Sequence, residues 1–180
     1  TVNAIAAGTS VYNSALTPGA VTLNAGVVGT DVVTSTAAVD TTTLSTGGHP
    51  IVGTYTQTAG ALSLSGADAG NYSLTPFTSA ANYSITQLAL AGTAIAGAST
   101  VYASALTPGA VTCGNVVGAD DVTSTASVNT STLSTSGNPI VGTYTQTAGA
   151  LSGADAGNYS GGAGFTSAAN YSSTKLALTG

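Results

Sequence analysis

The sequence carries almost no charge. Charged residues make up 4% of it: one lysine, Lys175, and six aspartates, Asp31, Asp40, Asp68, Asp120, Asp121 and Asp155. Without basic side chains there is nothing to displace counterions from phosphates or to hold an anionic lipid surface, so neither nucleic-acid binding nor electrostatic membrane attachment is expected. No apolar run approaches the ~18 residues of a membrane helix, so no membrane insertion is expected, and any export signal is expected to lie outside these residues. Tryptophan and methionine are absent, and there is one histidine and one cysteine. A lone Cys113 cannot close an intrachain disulfide. Its counterpart in the other half of the chain is the apolar Leu23, which points to a buried thiol.

What fills the sequence is Gly, Ala, Ser, Thr and Val, and they recur. Gly-Ala-Asp-Ala-Gly-Asn-Tyr at 66–72 returns unchanged at 153–159. Tyr12 matches Tyr102, Pro18 matches Pro108, Pro50 matches Pro139 and Tyr55 matches Tyr144, so the whole 180 residues read as one unit written twice. The length differences fall at Asn24-Ala25-Gly26, at Leu64-Ser65 and at Gly161-Gly162-Ala163-Gly164, where loops or strand ends are expected. A repeat of ~90 residues is long for a solenoid coil and suits a small β-sandwich.

Short runs rich in Val, Thr, Ile and Tyr, broken by Gly, Pro and Asp, with no sustained helical spacing, predict an all-β fold of two tandem immunoglobulin-like β-sandwich repeats. Strands are expected over 4–12, 20–28, 31–39, 42–45, 51–58, 61–65, 72–77 and 82–90. Thr17-Pro18-Gly19 and Thr107-Pro108-Gly109 read as turns in which glycine supplies a positive φ. Gly48-His49-Pro50 and Gly137-Asn138-Pro139 form a second pair. Within 51–55, alternation places Ile51, Gly53 and Tyr55 on one face.

The heptapeptide is the feature on which the reading turns. Asp68 is expected to accept hydrogen bonds from backbone two residues on, Gly70 to take a positive φ, and Tyr72 to pack half-buried and return its hydroxyl to the backbone of the corner. The structural corner is therefore Asp68, Gly70, Asn71 and Tyr72, repeated as Asp155, Gly157, Asn158 and Tyr159. Gln87-Leu88-Ala89-Leu90 before the second copy has its match at the end, Lys175-Leu176-Ala177-Leu178. The expected layout is one repeat over 1–86 lacking its first strand, a second over 87–174, and the first strand of a following repeat over 175–180, a window on a longer array. The alternative is a terminal strand that inserts into another subunit and builds a non-covalent fibre.

No catalytic set stands out. His49 is matched by Asn138 in the other repeat and reads as a turn residue. Asp120-Asp121, the one adjacent carboxylate pair, is matched by Thr30-Asp31, and neighbouring strand residues point to opposite faces. No cofactor is implied; among ligands, calcium suits best, with Asp68 and Asn71 offering oxygens, although one carboxylate per corner is few for a six- to eight-coordinate ion. Lys175 alone cannot supply an isopeptide cross-link to each unit. Asn-x-Ser/Thr occurs at Asn71, Asn82, Asn129, Asn158 and Asn170, where chance or strand packing in a chain this rich in Asn, Ser and Thr explains it better than glycosylation. The eight tyrosines fall into two matching sets of four, as core positions would.

With the corner, the Gly-Val-Val-Gly-Thr-Asp run (26–31), the Val-Gly-Thr-Tyr strand (52–55) and the Ala-Asn-Tyr-Ser-Ile-Thr end (81–86), the sequence resembles the YDG and MBG repeat domains of filamentous-haemagglutinin-like bacterial surface proteins. The likeness spans nearly the whole chain, twice. The Tyr-Asp-Gly that names one family reads Tyr12-Asn13-Ser14 and Tyr102-Ala103-Ser104 here. The resemblance implies a non-enzymatic stalk or adhesin repeat of a large exported protein at the bacterial cell surface. Its partners would be neighbouring repeats or identical subunits of a fibre, with surface glycans or a host protein as the ligands of an alternative binding role.

Overall fold

A computed structural model of the chain describes residues 3–24, 26–60 and 63–179. The chain divides into two compact units, Thr1–Leu88 and Ala89–Gly180. Both are all-β and sandwich-like, their only helical segments among the described residues being single 3-10 turns.

In the first unit Tyr83–Thr86 is the centre of a three-stranded sheet, with Gly8–Val11 parallel on one side and Gly53–Tyr55 antiparallel on the other. A second sheet places Gln57–Ala59 between Ala37–Val39 and Phe77–Thr78, both antiparallel. Ala4–Ile5 pairs with Val21–Thr22. The second unit repeats these pairings: Tyr171–Thr174 lies between Ala98–Val101 and Gly142–Tyr144, Ala126–Val128 pairs with Gln146–Ala148, and Ala91–Ile95 pairs with Val111–Gly114. Phe77–Thr78 has its equivalent in a single bridge, Thr147 to Thr166.

The strands are shorter than the sequence predicts, and side-chain chemistry explains two of the breaks. The run expected over 4–12 is two strands, because the Ala6 carbonyl leaves the ladder to accept from the Gln57 side-chain amide at 2.9 Å. The run expected over 51–58 breaks at Thr56, where the chain passes from one sheet to the other. Residues 42–45 contribute only the Leu44–Pro50 bridge. Of 61–65, Ala61 and Leu62 lie outside the described residues, and Ser65 bridges Thr34. Ser152 bridges Thr123 in the same way, so the two extra residues of the first repeat precede Leu64 instead of falling at Leu64-Ser65. Residues 175–179 form no strand.

Apolar burial is modest. Ile5, Ile85, Ile95, Ala59 and Ala148 are buried, and the largest fully buried side chains are four tyrosines, Tyr12, Tyr83, Tyr159 and Tyr171, with two glutamines, Gln57 and Gln146. Cys113 is half-buried and free, not buried as its apolar counterpart suggested. The Ile51/Gly53/Tyr55 face forms as expected: the Tyr55 ring lies over Gly53, with its hydroxyl donated to the Ile51 carbonyl at 2.6 Å.

Candidate functional site

Asp68 stands at the head of a single 3-10 turn, Ala69–Asn71, and Asp155 at the head of Ala156–Asn158. The turn's own amides are taken by main-chain carbonyls, Asn71 N–H by Asp68 and Tyr72 N–H by Ala69. The carboxylate therefore reaches outward, not two residues on: Asp68 Oδ2 accepts from Val32 N–H at 2.8 Å, and Asp155 Oδ2 from Asp121 N–H at 2.9 Å. The main chain closes the same clip, Asp68 N–H donating to Val32 and Asp155 N–H to Asp121.

Gly70 and Gly157 keep negative φ, and a Cβ on either would meet open space. The demanding position is the first glycine of the heptapeptide. Gly66 has φ +113° and Gly153 φ +103°, and a Cβ there would stand 2.3 and 2.4 Å from the carbonyl oxygens of Val32 and Asp121. Only glycine permits both that backbone and that approach. Gly19 and Gly109 are conserved between the two halves for closeness alone, without a positive φ: a Cβ would lie 1.8 Å from the Ala6 or Ala96 oxygen.

The Tyr72 hydroxyl leaves its own corner for the loop at 26–31. It accepts from Val28 N–H at 3.0 Å and donates to Asp31 Oδ2 at 2.6 Å. Tyr159 does the same with Val117 N–H and Asp120, at 2.9 and 2.6 Å. The hydrogen bond to Asp31 holds the Tyr72 phenol above its ordinary range, against a smaller opposing effect of the Val28 amide. This geometry matches Asp31 with Asp120, and Val32 with Asp121, a shift of one from the Thr30-Asp31 match expected for the pair. The two adjacent carboxylates serve different partners, Asp120 the Tyr159 hydroxyl and Asp121 the amide of Ala154.

The other tyrosines are loop anchors too. Tyr83 and Tyr171 accept from the amides of Thr17 and Thr107, fixing the Thr-Pro-Gly turns. Tyr12 and Tyr102 donate to Ser45 and Ser134 in the Pro50 and Pro139 turns.

The densest polar cluster is one that the sequence reading passed over. Gln57 Oε1 accepts from Gly19 N–H at 2.7 Å, while Nε2 donates to the Ala6 carbonyl and, at 2.8 Å, to Asn82 Oδ1. Asn82 Nδ2 continues to the Ile5 carbonyl at 2.9 Å, and Ser79 bonds both the Asn82 side chain and Gln57 N–H. Gln146, Asn170 and Ser167 reproduce the cluster on Gly109, Ala96 and Ile95. The signal was present: a glutamine at the same place in both repeats, in the inward phase of Tyr55-Gln57-Ala59. The amides of Asn82 and Asn170 are thus engaged inside the fold. Asn71 is exposed, Asn158 is buried, and Asn129 donates to Thr145 and Thr147.

His49 meets the Tyr12 ring edge-on, with centroids 6.1 Å apart, in a turn tied by Ser45. It lines a cavity of about 280 Å³ with Val11, Asn13, Leu16, Pro50 and Ile85, none of them acidic. Among the described residues no three His, Cys, Asp or Glu side chains converge as metal ligands would. No family model, curated protein or solved structure matches this chain.

Proposed function

We propose that the chain is a structural repeat: two β modules of an extracellular stalk or filament at a bacterial surface, whose role is reach and multivalent display and not catalysis. The observation that carries this reading is where the polar side chains go. In both units the corner aspartate, the tyrosine hydroxyls and the Gln–Asn–Ser cluster bind the unit's own loops, with matching partners at matching distances. A chain with little apolar core gains order by such hydrogen bonds, at roughly 1 kcal/mol each. It needs few charges to do so. A site devoted to one partner would instead leave convergent polar groups turned outward.

Small-angle scattering of the 180-residue chain, with calcium and with a chelator, tests the proposal. An extended monomer of unchanged dimensions and melting temperature in both conditions supports a stalk. Collapse on chelation, or glycan-array binding abolished by changes near Pro18 or Pro50, would replace it with a calcium-dependent or carbohydrate-binding role.

A further inference from the structure

Where the chain of the second unit passes from one sheet to the other, two segments part and meet again. Ile140 N–H donates to the Thr132 carbonyl at 3.3 Å, and Asn129 N–H to the Thr145 carbonyl at 3.0 Å. Between these two bonds one side has residues 130 and 131 and the other residues 141 to 144, so the longer side bows out and joins Tyr171–Thr174. The bow borders a cavity of about 320 Å³, lined on one side by Asn129, Ser131 and Thr132 and on the other by residues 140–145. That volume lies at the lower end of ligand pockets, roughly 300–1,000 Å³.

The main chain of the bowed side is open. Ala98 N–H donates to Asn170 and Tyr102 N–H to Thr174, so Ser172 and Thr174 turn toward Ala98–Val101, which leaves Tyr171 and Ser173 to bond Tyr144 and Gly142. Thr143, between those two, turns its N–H and C=O the other way, to the side on which the Thr145 carbonyl meets Asn129. Neither group has a partner among the described residues.

The side chains add to this. Asn129 Nδ2 donates to Thr145 Oγ1 at 2.7 Å and to Thr147 Oγ1 at 2.9 Å. Both amide hydrogens are thus spent, Asn129 Oδ1 remains an acceptor, and the Thr145 hydroxyl, itself accepting, keeps its hydrogen to donate. The first unit reverses the direction: Asp40 Oδ2 accepts from the Thr56 and Thr58 hydroxyls at 2.7 and 2.9 Å, so the Thr56 hydrogen is used within the unit. Ser131 and Thr132 contribute two more hydroxyls, both exposed.

The geometry points to a binding site for one neutral sugar ring in this cavity of the second unit. The Thr143 N–H and Thr145 O–H donate, the Thr143 carbonyl and Asn129 Oδ1 accept, and none of the lining residues is charged. Ile140 and Val141 supply apolar surface for the C–H face of the ring. A pyranose carries that combination, several hydroxyls that each donate and accept around an apolar face. A peptide strand does not fit as well, because main-chain bonds close both ends of the gap and no extended chain can run through it. The inference goes beyond the stalk reading and does not rest on it: sugar binding is read apart from shape and chelation, so the two fail separately.

Methyl glucoside, methyl galactoside and N-acetylglucosamine, each titrated to about 50 mM into the ¹⁵N-labelled 180-residue chain, test it, with glycerol as the acyclic control. At least one sugar should give saturable shifts at the amides of Ser131, Thr143 and Thr145 and at the Asn129 side chain, with a Kd of about 1–10 mM. The first-unit counterparts Thr42, Thr54 and Thr56 should move less. Asn129→Asp, which copies the first unit, and Thr145→Val, which deletes the hydroxyl at similar volume, should each weaken binding about tenfold with an unchanged melting curve. The inference would be overturned by the absence of saturable shifts with all three sugars, by equal shifts with glycerol, by shifts centred outside residues 129–132 and 140–145, or by binding indifferent to both substitutions.

Discussion

Replacing Gln57 with methionine keeps the side chain's length and approximate volume while deleting its amide. Three hydrogen bonds go with it: from Gly19 N–H, to the Ala6 carbonyl and to Asn82 Oδ1. Asn82 Oδ1 keeps the Ser79 hydroxyl as a donor, so its loss is partial. The Gly19 amide and the Ala6 carbonyl lose their side-chain partner around a glutamine that is fully buried. An unsatisfied buried polar group costs about 1–3 kcal/mol, so Gln57→Met should destabilise the first unit by about 2–6 kcal/mol. Against a total of roughly 5–12 kcal/mol for a module of this size, that is a large fraction. Gln146→Met should cost the second unit the same, because its three bonds measure 2.7, 3.0 and 2.8 Å. Urea unfolding followed by near-ultraviolet circular dichroism, with unit-resolved amide exchange to show which module melts, gives the value. A change below about 0.5 kcal/mol in either variant would mean that the cluster is wet, and the reasoning would fail.

Gly66→Ala, at φ +113° and against the Val32 carbonyl, should destabilise by about 2–4 kcal/mol, and Gly70→Ala, in open space, by less than about 0.5 kcal/mol; a reversed order in thermal melts would refute the corner geometry. Ala103 sits at φ +68° where the first repeat has Asn13 at +64°, so Ala103→Asn should stabilise by about 0.5–1 kcal/mol in urea unfolding. Tyr72 should titrate above the ordinary phenol value of about 10, and Asp31→Asn should bring it back down, as read by absorbance or by tyrosine ring resonances. Because the folded value is the raised one, its contribution to stability is full below the unfolded pKa and is lost as the pH climbs through the folded one. The Tyr72 contribution should therefore be lost on the alkaline side.

The all-β class and most strand positions were legible because Val/Thr/Tyr alternation and Gly/Pro punctuation act locally. The lengths were not, since they depend on where a distant side chain captures a carbonyl, as Gln57 does at Ala6. The heptapeptide was visible as a corner, but its parts were misassigned for a similar reason. Gly70 looked like the left-handed residue by turn rules, whereas the strain falls on Gly66, where the chain passes the Val32 carbonyl from another segment. Tyr72 was placed near the core, but its partners lie about forty positions away in sequence, out of reach of local rules. Gln57 was overlooked because glutamine in a Thr-rich strand reads as surface; only its inward phase, kept in both repeats, marks it otherwise.

The central claim is that loop order in each unit comes from hydrogen bonds to its own polar side chains. Native-state amide exchange on the intact chain tests it most directly, at Thr17, Gly19, Val28 and Val32 and at their counterparts Thr107, Gly109, Val117 and Asp121, all loop amides that donate to a side chain. The account predicts slow exchange at all eight, approaching that of the central strands Tyr83–Thr86 and Tyr171–Thr174. Exchange at the rate of open loops, in either unit, would contradict it.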